Sequence, residues 1–86
     1  MKIQLIIMGR TEQSQATENI WREICEAQGL SLQVADSQTR QGQSLVKKLA
    51  LRTLPALVVN DRVIAVGQPD KVSARRILQI LAEKTD

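Results

Sequence analysis

RTLPALVVNDRVIAVG, residues 52–67, decides how the rest of the chain is read. Pro55 stands at the mouth of ALVV, a run that otherwise suits a buried strand. Proline has no backbone N–H for a sheet ladder, so within a β pattern it is confined to edges, first positions and bulges, or makes a tight cis turn. Asn60-Asp61 follows, a dipeptide that tolerates positive φ and joins apolar runs in a two-residue hairpin. The stretch therefore predicts strands at 56–59 and 63–66, with Pro55 marking the start of the first.

On the N-terminal side, KIQLIIM (residues 2–8) is a nearly continuous apolar run ending at Gly9, as expected of a central strand buried on both faces. From about Glu12 to Gln28, Ala16, Ile20, Ile24 and Ala27 recur at helical spacing, with Trp21 and Cys25 on the flank and Gly29 as the stop. Leu30, Leu32 and Val34 alternate with polar residues and predict a half-buried strand, completing a βαβ unit with parallel strands. A short helix at roughly 43–52 follows, with Leu45, Val46, Leu49 and Ala50 on one face and Gly42 just before it. Beyond Gly67-Gln68-Pro69, a last helix at roughly 70–83 starts at an Asp70 cap and buries Val72, Ala74, Ile77, Leu78, Ile80 and Leu81. Ile6, Ile20, Ile24, Leu57, Val59, Ile77 and Leu81 form the expected core.

At 86 residues, 43% apolar and 24% charged, the chain fits one globular domain spanning 1–86, without a linker or internal repeat. The apolar start is too short for a signal h-region or a membrane span, so a cytoplasmic protein is expected. One cysteine and no histidine exclude an intramolecular disulfide, a zinc cluster and a histidine-based triad; no metal or cofactor is expected. Charge is uneven: three Lys/Arg against five Asp/Glu in residues 1–36, nine against four in residues 37–86. Lys47, Lys48, Arg52, Arg75 and Arg76 fall on polar helix faces and Trp21 is the only aromatic, so a solvated basic face is expected rather than a nucleic-acid site.

The order βαβ-α-ββ-α with a proline at the first residue of the third strand resembles the thioredoxin/glutaredoxin fold over essentially the whole chain. The most specific part is RTLPALVVNDRVIAVG, which is similar to the Thr-hydrophobic-Pro, strand, turn, strand, Val-Gly pattern of small, glutaredoxin-sized members. The resemblance implies an α/β fold with a mixed four-stranded sheet in the order 2-1-3-4, helices one and three on one face and helix two on the other. It also implies a cis Leu54-Pro55 bond facing the active-site loop, with the backbone of Leu54 offered to an extended partner.

In that family a Cys-x-x-Cys lies at the start of helix one, where unpaired N–H groups and the helix dipole lower the first thiol's pKa. Here the loop reads MGRTEQSQATENI. One register puts Thr11 and Ser14 on the cysteine positions; a shift of one residue puts Arg10 and Gln13 there, and neither supplies a thiol. Thr11 or Ser14 caps helix one, and together they mark a peptide- or anion-binding helix end. Cys25, eleven residues beyond Ser14, is read as a small, partly buried hydrophobe that cannot replace either cysteine. Glutathione binding is weakened as well: the positions of the glutaredoxin Gly-Gly pair hold Ala65 and Val66, with a lone Gly67. Trp21 is read as packed against a neighbouring loop or helix. The expectation is a redox-inactive thioredoxin-like domain binding a protein or peptide in a groove around Thr11, Ser14, Leu54 and Pro55. The alternative is a glutaredoxin-like thiol-disulfide oxidoreductase or glutathione-binding protein working without a Cys-x-x-Cys pair.

Overall fold

β1 (Ile3–Ile7) is buried along its whole length, Gln4 included, as its nearly continuous apolar run suits a central strand. The computed structural model describes residues 1–84, the side chain of residue 84 excepted. In chain order β1 is followed by α1 (Glu12–Ala27), β2 (Leu32–Asp36), α2 (Arg40–Lys48), β3 (Ala56–Val59), β4 (Arg62–Val66) and α3 (Lys71–Lys84). The four strands form one sheet in the order β2-β1-β3-β4, with β1 parallel to β2 and antiparallel to β3. β3 and β4 are antiparallel and joined through Asn60 (φ 50°) and Asp61 (φ 65°), the paired positive φ values that a tight hairpin turn needs.

Side chains alternate across β1, so each face is covered separately. Ile3, Leu5 and Ile7 pack with Leu57 and Val59 against Trp21, Ile24 and Cys25 of α1 and Ala74 and Leu78 of α3. α1 and α3 therefore share one face and touch each other. Ile6, Ala56 and Val58 point the opposite way and are also fully buried. α2, which packs on β2, covers that side. This is the α/β architecture with helices on both faces that the resemblance implies.

Packing differs from the sequence reading within the helices. The buried side of α1 is Ser14, Thr17, Glu18, Trp21, Ile24 and Cys25, while Ile20 is half-buried and Ala27 exposed. Trp21 and Cys25 thus lie at the centre of the stripe, because the largest side chain takes the sheet face and the stripe rotates with it. In α3, Ala74 and Leu78 are buried and Ile77 and Leu81 half-buried, whereas Val72 (65% exposed) and Ile80 (44%) face outward. α2 begins three residues before its expected start, because the Thr39 hydroxyl caps it by accepting the Gly42 N–H at 3.1 Å. It ends at Lys48 with Leu49 as its cap, and the left-handed Ala50 (φ 52°) beyond it is exposed rather than on the buried face. Gly42 is then inside the helix and buried, where a Cβ would overlap the Asp36 backbone.

Candidate functional site

The N-terminal end of α1 sets the site. Thr11 is extended, and its hydroxyl oxygen accepts the Ser14 N–H at 3.0 Å, which makes it the N-cap. The same hydroxyl donates to Ser14 Oγ at 3.1 Å. Ser14 is buried by this pairing. The loop before the cap is tied from the other side: Gly9 (φ 73°) donates its N–H to Asp36 Oδ1 at 3.0 Å, and Gln38 donates to the same oxygen at 2.9 Å. The Gln38 and Gly9 amides hold the Asp36 carboxyl below its ordinary pKa against partial desolvation, with the Arg10 charge helping. Ser37 completes the tie by donating to the Ile7 carbonyl at 2.7 Å.

Opposite this helix end stands the Leu54–Pro55 peptide, which is cis. The Pro55 carbonyl accepts the Gly67 N–H at 2.8 Å, fixing the segment to the end of β4. No hydrogen bond among the described residues uses the backbone of Leu54. Thr11, Ser14, Leu54 and Pro55, the four residues singled out in the sequence, line one groove of about 450 Å³. Thr17 and Met8 line it too, as do Gln13 and Gln68. Of the alternative register, Gln13 is therefore at the groove, while Arg10 turns onto Glu18 at 3.1 Å.

Met8 and Leu54 also line a second hollow of about 590 Å³, walled on its far side by Arg40, Gln43, Val46 and Lys47 of α2. The sequence reading gave the site Leu54 alone of these residues, placing Val46 on an apolar helix face and Lys47 on a solvated basic one. Met8 carried a signal, since it continues the β1 alternation past the strand onto the α2 side; Arg40, Gln43 and Lys47 carried none beyond their polarity.

The chemical capacity of the site follows from what lines it: hydroxyls, amides and apolar side chains, and no thiol. Cys25 is fully buried in the core, and desolvation pushes its pKa up, opposed by Arg22 and reinforced by Glu26. Trp21 is 1% exposed and belongs to the same core, not to a recognition surface. Glu18, largely buried behind the helix end, is compensated by Arg10 and by Arg22 at 3.0 Å. Asp70 caps α3, accepting from the Ser73 hydroxyl at 3.2 Å. Among the described residues no cluster of three His, Cys, Asp or Glu is arranged to hold a metal. No described helix is long and apolar enough to cross a membrane.

The thioredoxin domain family matches residues 1–79. The chain belongs to it. Among solved structures, this thioredoxin domain is similar to thioredoxin 1 from the thermophilic eubacterium Thermosipho africanus TCF52B, with a TM-score of 0.75 over 99% of this chain and 98% of that one. Identity is 13%, so that likeness shows a common fold. No curated protein matches the sequence significantly.

Proposed function

We propose that this thioredoxin domain acts as one unit over residues 1–86, binding an extended protein segment in the groove between the α1 N-terminus and Leu54-Pro55 without thiol-disulfide exchange. The observation that carries the reading is the content of the groove. The positions that would hold the reactive cysteines are Thr11 and Ser14, bonded to each other. The single thiol is buried, about 16 Å along the helix from Ser14 at 1.5 Å per residue. Exchange requires an accessible thiolate, and a hydroxyl serves as a nucleophile only beside a general base such as histidine, which the sequence lacks. An open backbone at Leu54 beside a groove of mixed polar and apolar lining suits main-chain pairing with an extended partner. The proposed setting is the cytoplasm, where an unpaired cysteine stays reduced.

Turnover of a disulfide substrate with dithiothreitol or glutathione as reductant tests this. Wild type and Cys25→Ser are expected to show none. Thr11→Cys/Ser14→Cys is expected to create a redox-active pair, because the helix N-terminus that activates such a thiol is already in place. Wild-type turnover that disappears in Cys25→Ser would assign the chain instead to a single-cysteine, glutaredoxin-like enzyme.

A further inference from the structure

We infer that the partner is an acidic segment carrying an apolar residue, read by the second hollow, where Arg40 and Lys47 of α2 flank the apolar surface of Met8, Val46 and Leu54. The inference rests on the groove reading above and names the chemistry of its occupant. Arg40 and Lys47 are seven residues apart, two helical turns, so they project from the same side of α2 about 10 Å apart along its axis. Both are exposed, and neither belongs to any ion pair among the described residues. Arg10 and Arg22, by contrast, are engaged by Glu18.

Among the described residues, no carboxylate lines either hollow. The nearest acid in sequence to this wall, Asp36, accepts the Gly9 and Gln38 amides, and the cation that acts on it is Arg10 rather than Arg40 or Lys47. Two positive charges are thus set over an apolar floor with no described residue of opposite sign lining it. Met8, 59% exposed at the end of β1, joins Val46 and Leu54 in the apolar part of this hollow. Because an extended chain advances about 3.3 Å per residue and alternates its faces, two carboxylates four residues apart, about 13 Å, lie on the same face as the side chain midway between them, so the carboxylates reach the long Arg40 and Lys47 side chains while an apolar middle residue packs against Met8 and Leu54. Nucleic acid offers the same negative charge. The only aromatic, Trp21, is buried, which leaves no surface on which a base would stack.

The test is selection of a displayed library of random dodecapeptides against the immobilised wild-type protein, followed by fluorescence anisotropy of the enriched sequences. Enrichment of Asp and Glu around an apolar residue is expected, with binding weakened at least about tenfold by Arg40→Glu/Lys47→Glu and by higher salt. Arg75→Glu/Arg76→Glu changes net charge equally on the exposed side of α3 and is expected to leave affinity unchanged, with circular dichroism checking that both variants fold. Equal losses in the two double variants would overturn the proposal in favour of nonspecific charge attraction. Displacement of the peptides by an equal concentration of a single-stranded oligothymidine would overturn it in favour of nucleic acid. Neutral or basic peptides whose binding is lost in Leu54→Glu would overturn the acidic partner while leaving the groove reading standing. Enrichment indistinguishable from that on Leu54→Glu would remove both.

Discussion

Asp36 is a single side chain that ties the loop before α1 to the loop after β2, because one carboxylate oxygen receives the amides of Gly9 and Gln38. Its pKa is lowered in the folded protein. A depressed carboxyl stabilises the fold fully above the unfolded-state pKa of about 4, and that contribution is lost as pH falls through the lower folded value. Asp36→Asn is therefore expected to lower the urea midpoint at neutral pH, with the gap to wild type narrowing as pH drops below about 4. A gap independent of pH would show that the loss does not come from the charge of the carboxylate. Thr11, Ser14, Leu54 and Pro55 were legible at this scale because capping hydroxyls and a proline before a strand act through their immediate neighbours. Asp36 was not, since Gly9 is brought to it only by the parallel pairing of β1 with β2.

At the scale of the element, Gly42 shows tertiary contact reversing a local preference. Replacing a helical glycine with alanine ordinarily stabilises a helix by about 0.5–1 kcal/mol. Here the added Cβ would overlap the carbonyl and carbon of Asp36, backbone atoms held by the end of β2. Gly42→Ala is expected to destabilise, read as a lower denaturation midpoint; a rise would mean that α2 moves freely off β2. The stripe of α3 gives a second contrast. Leu78→Ala, like Leu57→Ala, is expected to cost about 2–5 kcal/mol, and Val72→Ala less than about 0.5 kcal/mol, by chemical denaturation. Helical spacing alone put Val72 and Leu78 on the same apolar side, and only the position of the sheet separates them. β4 is similar: its register against β3 slips between Leu57 and Val58, so that Ile64 and Ala65 are both half-buried while Val63 and Val66 are exposed. A bulge of this kind breaks the alternation from which strand faces are read.

Across the whole molecule, the buried thiol reports on global opening. Cys25 lies in the core shared by α1, α3 and the sheet, so an aromatic disulfide reagent reaches it only when that core opens. Modification is expected to be slow in native buffer, fast in denaturant, and accelerated by Leu57→Ala in proportion to the stability lost; rapid native labelling unaffected by Leu57→Ala would place the thiol in a locally opening segment. The sequence by itself determined the order of elements, the hairpin at Asn60-Asp61 and the thiol-free end of α1, because periodicity, turn chemistry and residue identity are properties of neighbours along the chain. It also carried enough of the Thr-Leu-Pro pattern to point to the family. Which side of α1 is buried, that Gly42 lies within α2, and that Met8 and Leu54 face Arg40 and Lys47 were decided only by the tertiary structure. Those relations join residues far apart in sequence, and packing volume and strand pairing, rather than local preference, set the distances between them.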